Sequence, residues 1–374
     1  MRVGDELTIE PTELVAGGAA LAKIDGFPLF ITNIYPGDVA RVRIVEIKKG
    51  FGRAELVRVE RPSAVRRALP CPIAAECGGC DWTELRLDAQ LAAKEHILRE
   101  SLRRIGKLDP GTLPLISVHP SPLNYRIRSR LHGVGEAVGF YANGTHRVVP
   151  LARECEVVGP LTAAAIGSGT VHGSAGEREI WELDGKLIDD GREIAIDVDR
   201  HRFRLSTDAF FQVNRHLLGT MLRLVRAQAE RTSDRRRAVD LYAGVGFFSA
   251  PLAEAFESVI AVEGSSVAHR WALANAPANV EAIEAPVEVW VERMPPASFV
   301  FLDPPRSGVQ RNVIDAIASK ATEVVCFLAC DPVTLARDAN RLAASGWRLT
   351  ALDLLDLFPN THHLETLARF ERVA

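Results

Sequence analysis

The sequence predicts an α/β protein. A C-terminal Rossmann-like domain is preceded by an N-terminal barrel of the oligonucleotide-binding type and a central β-rich domain. Three observations predict this arrangement. From Ala238 onward, apolar runs repeatedly end in a turn rich in Gly or Pro and continue as helical patterns; before Arg61, short alternating runs are separated by glycines; between these regions stand three cysteines within ten residues. The expected limits are 1–62 for the barrel, 63–205 for the central domain and 206–374 for the Rossmann-like domain.

Composition is that of an ordinary globular chain. With 374 residues, 47% hydrophobic and 25% charged, two or three domains are expected. No apolar run approaches the roughly 18 residues of a membrane span and no signal peptide precedes the first strand, so a cytoplasmic protein without membrane contact is expected. A net charge of −3 argues against broad nonspecific binding to nucleic acid, and any such contact must come from local patches.

In the barrel, strands are expected at Glu6 to Ile9, Phe27 to Ile31, Asp38 to Val45 and Gly52 to Val59. Alternation in the last two puts one face in a core, as in a five-stranded barrel. From Arg41 to Pro70 there are nine Lys or Arg against three Glu. This excess suits a phosphate-facing stripe or a solvated strand face. Cys71, Cys77 and Cys80 follow, the last two around a pair of glycines, and Cys155 is the remaining cysteine outside the C-terminal domain. Disulfides are not expected in the cytoplasm, and four thiolates suit zinc and an iron–sulfur cluster equally by spacing. Thr83 to Ile105 reads as a helix closed by Gly106. Tyr125 to Arg130 alternates basic and apolar residues, setting three arginines on one strand face, and Val138 to Arg204 continues as a β-rich stretch.

The C-terminal third carries the chemistry at strand ends. Ala238 to Ala250 is a strand, a turn with Gly244 and Gly246, and a helix, as in a βα turn that approaches a cofactor closely. The next strand, Ser258 to Val262, ends in Glu263, an acid placed to bond ribose hydroxyls. Ser249 occupies the place of a third fingerprint glycine, which favours S-adenosylmethionine (SAM) over NAD. Ser298 to Gly308 ends a strand in Asp303 and a stiff Pro-Pro turn. Val324 to Ala329 reads as a buried strand leading into Cys330-Asp331-Pro332 and a helix over Val333 to Ala344. A thiol there suits a nucleophile favoured by the helix dipole, although taken alone a core cysteine is the commoner reading; Cys326 reads as core. Phe358 to Thr366 supplies Glu365, a candidate base, with His362 and His363 as candidates or ordinary surface histidines.

Together these stretches resemble the SAM-dependent RNA uracil-5-methyltransferases. The resemblance rests on FFQVN (Phe210 to Asn214), DLYAGVGFFS, AVEGS, FLDPPRSG, ACDPVTLARD and FPNTHHLET in the family's order and spacing, and it extends over essentially the whole chain. It implies that Cys330 adds to carbon 6 of uracil, that carbon 5 takes the methyl group of SAM, and that Glu365 then removes the carbon 5 proton. It further implies that Gln212 and Asp303 line the SAM and uracil pockets, with Tyr242 and the Gly244 turn beside the adenosine and Glu263 on the ribose. The barrel resembles a TRAM domain. Cys71, Cys77, Cys80 and Cys155 match the ligands of a 4Fe-4S cluster in cluster-bearing members. The helix from 83 to 106 is expected to pack on the catalytic domain, and a monomer is expected.

RNA is the partner implied, 23S rRNA favoured by the TRAM-like barrel and tRNA as the alternative. The rival readings are a SAM-dependent methyltransferase of another pyrimidine or of a non-RNA substrate, and a catalytically silent RNA-binding iron–sulfur protein; the presence of Cys330 and Glu365 argues against the silent protein. Three departures stand out. The family's S-C-N-P is Ala329-Cys330-Asp331-Pro332, whose carboxylate would raise the thiol pKa unless the helix dipole or Arg306 offsets it. Phe247 stands where some relatives carry an asparagine that contacts SAM. Of an N-Y-R-N-K-type stretch, only Asn124-Tyr125-Arg126 is kept.

Overall fold

The computed structural model describes residues 1–135, 137–168 and 176–373. At the N-terminus, β1 (Glu6–Ile9), β2 (Glu13–Leu14), β3 (Ala20–Ile24), β4 (Phe27–Ile31), β5 (Val39–Ile47) and β6 (Gly52–Arg61) form one sheet in the order β1-β5-β6-β4-β3-β2. There are thus six strands here where five were expected. The overlooked β3 is joined to β4 by Asp25-Gly26, whose φ values of 49° and 83° fit the two-residue turn that matches strand twist. Asp-Gly between apolar runs was the available signal. In β5, buried Ala40, Val42 and Ile44 alternate with the more exposed Arg41, Arg43 and Val45.

The basic stripe is neutralised locally. Arg41 and Arg43 pair with Glu6, Lys48 and Arg53 with Glu46, Arg58 with Glu60, Arg61 with Glu10, and Arg66 with Asp38. Several of these carboxylates lie outside the Arg41 to Pro70 window, so most of the excess counted along the chain is offset in space, Lys49 being left without a carboxylate partner among the described residues.

Helix α1 (Leu87–Arg104) starts four residues after the expected Thr83, and its Leu98 and Leu102 enter the core of the C-terminal domain. Its other side meets the barrel, where Trp82, Leu85 and Ile97 join the barrel core. Gly106 ends the helix by close approach, since a Cβ there would lie 2.5 Å from the Leu102 carbonyl oxygen; the left-handed residue is Lys107, at φ 54°. Strand β7 (Ile116–His119) then leaves for the C-terminal sheet.

The central domain holds β8 (Arg128–Val134), β9 (Ala137–Tyr141), β10 (Val148–Pro150), helix α2 (Pro160–Gly167), β11 (Gly176–Leu183) and β12 (Lys186–Ile188), with a sheet order β10-β9-β8-β11-β12. The hairpin of β13 (Glu193–Val198) and β14 (His201–Ser206) follows. Within the β-rich stretch from Val138 to Arg204, residues 169–175 lie outside the described residues. The three arginines of Arg126 to Arg130 do not form an open face. Arg128 donates to the Phe211 carbonyl and pairs with Glu179, Arg130 pairs with Glu177, and Arg126 lies over Tyr125 and Phe140.

The C-terminal domain contains α3 (Leu218–Glu230), β15 (Arg237–Leu241), α4 (Ser249–Ala255), β16 (Ser258–Glu263), α5 (Ser266–Asn275), β17 (Val280–Glu284), α6 (Val287–Trp290), β18 (Ala297–Leu302), α7 (Arg311–Lys320), β19 (Ala321–Ala329), α8 (Pro332–Ala344), β20 (Trp347–Leu355) and β21 (Glu365–Arg372). They build an eight-stranded sheet, β17-β16-β15-β18-β19-β21-β20-β7. β21 alone runs antiparallel to its neighbours β19 and β20. β18 is buried at every position, as a parallel strand covered on both faces must be. β7 comes from before the central domain, so chain order and domain order differ. No helix among the described residues is long and apolar enough to cross a membrane.

The loop between β20 and β21 is tied to several earlier segments. Asn360, left-handed at φ 67° and fully buried, accepts at its carbonyl oxygen from the Asp81 and Trp82 amides at 3.2 and 3.0 Å. Its side chain accepts from Arg67 and Gln90 and donates to Glu156. Nearby, buried Lys94 of α1 donates to Asp356 at 2.6 Å and to the Phe358 carbonyl at 3.0 Å. Breaking a buried ion pair strands its partner charge. Lys94→Met is therefore expected to destabilise the protein by about 3–5 kcal/mol, with Asp356→Asn in the same chain recovering part of the loss, as read by the midpoint of urea unfolding.

Candidate active site

In a sheet of parallel strands, ligands bind at the carboxyl ends. Tyr242 follows β15, Glu263 ends β16, Asp303 follows β18 and Cys330 follows β19, all at that edge. Glu365 reaches the same edge by the opposite route, because it opens the antiparallel β21. Ala329 pairs with Thr366, so Cys330 and Glu365 are the next residues outward on adjacent strands. Together with Gln212 and Gly244, these residues line one cavity of about 620 Å³.

Each side chain is held by a local feature. Gly244 and Gly246, at φ 57° and 84°, make the turn after β15, and the Gly244 amide donates to Glu263 Oε2 at 2.8 Å. The other Glu263 oxygen accepts from the Ser265 amide at 2.7 Å. Tyr242 lines the cavity with its ring, while its hydroxyl donates to Glu288 at 2.9 Å. Gln212 Nε2 donates to Asp303 Oδ2 at 3.0 Å. Phe247, one of the departures from the family pattern, does not hang free. It packs on Phe203, Phe211 and Phe248 at centroid distances of 5.0, 5.1 and 4.9 Å, an aromatic cluster that seats the backbone leading to Gln212.

The concern about Asp331 resolves in its geometry. Its carboxylate caps α8, accepting from the amides of Val333 and Thr334 at 3.0 and 2.7 Å. Asp and Asn serve equally as N-caps, so the change from S-C-N-P keeps the cap. The acids acting on the thiol are others. Burial, then Glu365, with a smaller contribution from Asp303, pushes the Cys330 thiol up to about 12, and Arg306 opposes them. Burial likewise raises Asp303 to about 8 and Asp240 to about 7, and it raises Glu365 well above the usual carboxylate range. Glu365 Oε1 has no hydrogen-bond partner among the described residues. Such a cavity disfavours several negative charges at once and suits a cation.

Two groups there escaped the sequence reading, and a third was left open by it. Phe210, 61% exposed, stands at the cavity mouth beneath the Arg128 guanidinium, 4.9 Å from its ring. Phe358 lines the cavity, in edge contact with Tyr125. His363, open between site and surface in the sequence, is half-buried on the cavity wall, with its pKa lowered to about 4 chiefly by burial, so the ring is neutral at pH 7. Nothing in local pattern separates it from His362.

The cysteines of the central domain converge as well. Cys71, Cys77, Cys80 and Cys155 surround one small apolar cavity with Phe140, Leu151 and Val157. Both glycines between Cys77 and Cys80 are needed for close approach: a Cβ on Gly78 would lie 2.8 Å from the Tyr141 carbonyl oxygen, and one on Gly79 would lie 2.9 Å from the Phe140 ring. The Gly79 amide donates to Cys77 Sγ at 3.4 Å. Burial raises the Cys71, Cys77 and Cys80 thiols. Among the described residues, no group of three or more His, Cys, Asp or Glu is arranged so that it could hold a metal ion.

Comparison with known proteins adds an independent line. The tRNA (Uracil-5-)-methyltransferase family matches residues 173–290 and 291–373, and the TRAM domain matches 2–57. An uncharacterized RNA methyltransferase of Gloeobacter violaceus is 30% identical, over 99% of this chain and 97% of that protein. The 23S rRNA (uracil(1939)-C(5))-methyltransferase of Pseudomonas aeruginosa is 29% identical, over 98% of this chain and 93% of that protein. The crystal structure of Pyrococcus abyssi tRNA (uracil-54, C5)-methyltransferase with S-adenosyl-L-homocysteine superposes with a TM-score of 0.74 at 20% identity, covering 97% of this chain and 100% of that one.

The electrostatics of Cys330 give a direct test. Replacing an acid that raises the thiol pKa enlarges the thiolate fraction at a given pH, and removing Arg306 shrinks it. Alkylation of Cys330 by iodoacetamide at pH 8, followed by mass spectrometry of its peptide, is expected to be faster in Glu365→Gln than in wild type and slower in Arg306→Met.

Proposed function

Because the chain belongs to the tRNA (uracil-5-)-methyltransferase family, we propose that it methylates carbon 5 of one uridine in RNA, with SAM as donor. 23S rRNA is the favoured substrate: the barrel matches the TRAM domain, and a relative covering nearly the whole chain is named for 23S rRNA. The observation that carries the reading is the adjacency of Cys330 and Glu365 across the β19–β21 register, in one cavity with Glu263 and Asp303.

Carbon 5 of uracil is a weak nucleophile. A thiolate at Cys330 forms a bond to carbon 6, and the electron pair moves to an enolate that makes carbon 5 nucleophilic. SAM, when bound, supplies an electrophilic methyl group on a sulfonium. Glu365, buried and with a raised proton affinity, takes the carbon 5 proton; the carbon 6–sulfur bond then breaks and Cys330 is returned. The thiol has to lose its proton in a site that opposes a thiolate. Arg306 is the one side chain among the causes of that shift that favours the charged form through its own charge. Glu263 holds the ribose, with its carboxylate already set by two amides, and Asp303 with Gln212 bounds the space between cofactor and base. The uridine must leave any stack to reach Cys330, at a cost of a few kcal/mol that loop RNA lowers.

The donor set of Cys71, Cys77, Cys80 and Cys155 fits a 4Fe-4S cluster. Four thiols around one apolar cavity support this reading. Its part is to hold the loop, since Asp81 and Glu156, each next to a ligand, both hydrogen-bond Asn360 of the catalytic loop.

Two measurements test these assignments. With labelled SAM and total RNA from a strain lacking the enzyme, wild type is expected to make 5-methyluridine at one site and Cys330→Ala none. Glu365→Gln is expected to remain covalently attached to RNA, visible as a shifted band after denaturing electrophoresis. For the cluster, anaerobically purified protein is expected to carry iron and sulfide near four each per chain by stoichiometry and broad visible absorption, both lost in Cys80→Ser; zinc in their place refutes the assignment.

A further inference from the structure

We propose that a smaller cavity beside Cys330 is a second nucleotide subsite, built jointly by the barrel and the catalytic domain, that holds the nucleotide adjoining the target uridine. The proposal rests on the RNA-methylation reading above and names how the same site takes a polymer. This cavity, of about 160 Å³, is bounded by Ala16 and Gly17 in the β2–β3 connection, by Asp331 and Pro332 at the start of α8, and by His362. It meets the larger cavity along Arg306, Cys330 and His363, which line both.

The chemistry of that shared ridge matches a dinucleotide. Two adjoining nucleotides, one base in each cavity, have a single phosphodiester between them, and it must cross where the cavities meet. Arg306 stands there, exposed, and its side chain makes no hydrogen bond or ion pair among the described residues. Arg41, Arg43 and Lys48 of the barrel, by contrast, are held by carboxylates. An uncommitted guanidinium is suited to a phosphate. The acid on the wall, Asp331, gives one oxygen to the amides of Val333 and Thr334. The imidazoles of His362 and His363, with centroids 4.2 Å apart and planes tilted by 46°, each supply a flat heteroaromatic face of the kind bases pack on.

The barrel side of the cavity is seated against the catalytic loop. Trp82 Nε1 donates to the Gly18 carbonyl at 3.1 Å, and a Cβ on Gly18 would lie 2.7 Å from Asp81 Oδ2 and 2.9 Å from His362 Nδ1. Next to it, Gly17 faces open space, with nothing within 4 Å of an added Cβ. The barrel thus contributes a wall of the reaction site itself, a tighter role than a distant anchor for RNA.

The test is equilibrium binding of uridine monophosphate and of the dinucleotide UpU to the full-length protein with S-adenosylhomocysteine present, a measurement independent of turnover. In wild type, UpU is expected to bind about tenfold more tightly than the mononucleotide, the scale of one added base contact. Ala16→Trp, which fills the small cavity from an exposed turn, is expected to bring that ratio to about one, and Ala16→Leu to an intermediate value; binding of S-adenosylhomocysteine reports that each variant is folded. A wild-type ratio near one overturns the subsite, and so does a ratio that survives Ala16→Trp. Methylation of total RNA, measured alongside, separates the two readings: wild type that binds UpU tightly yet methylates no RNA sinks the function and leaves the subsite standing.

Discussion

The candidate site depends on one strand register. β21 enters the sheet between β19 and β20 against the direction of both, and Ala329 opposite Thr366 leaves Cys330 and Glu365 side by side at the edge where the parallel strands deliver Glu263 and Asp303. Side chains alternate faces along a strand, so a slip of one residue would turn Glu365 from the cavity to the opposite face. The register is secured by burial. Every residue of β21 from Glu365 to Phe370 is buried, and Arg369 donates to the Gln228 carbonyl at 2.6 Å beneath the sheet.

Burial also sets the chemistry. Cys330, Asp303, Asp240 and Glu365 share a desolvated region in which each negative charge raises the proton affinity of the next. The resting thiol is therefore protonated. A positive charge entering the cavity relieves the same repulsion, so a bound sulfonium and an ionised Cys330 are favoured together. The site is ordered by charge as well as by shape, with Arg306 as the cation the protein itself provides.

The loop that carries His363 toward this centre is positioned from outside the catalytic domain. Asn360 accepts hydrogen bonds from Asp81, Trp82, Gln90 and Arg67 and donates one to Glu156, partners that belong to the cysteine loop, α1 and the central domain. Lys94 and Asp356 lock the same loop to α1. The four-cysteine cavity, the barrel turn at Gly18 and the catalytic loop are thus neighbours in one packed region. This gives a structural reason for holding the cysteine loop firmly in a protein whose reaction needs no electron transfer.

Much of this was legible along the chain. The buried parallel strands are apolar runs, and the residues that end them, Glu263, Asp303 and Cys330, are conspicuous because polar groups interrupt otherwise uniform patterns. The spacing of Cys71, Cys77 and Cys80 around two glycines marked a loop that packs closely, and Gly78 and Gly79 do lie tight against Tyr141 and Phe140. Such features are local, since periodicity records which faces a segment buries and turn residues record where it ends. What only the tertiary structure decided is what meets what. The basic run after Arg41 is matched by carboxylates from distant positions; β7 joins a sheet whose other strands lie more than a hundred residues later; Asp331 is a helix cap and not the acid acting on the thiol; and the second cavity exists only because a barrel turn lies against His362. Each depends on strand register, docking angle and charge pairing between segments far apart in the chain, and no local pattern encodes the partner.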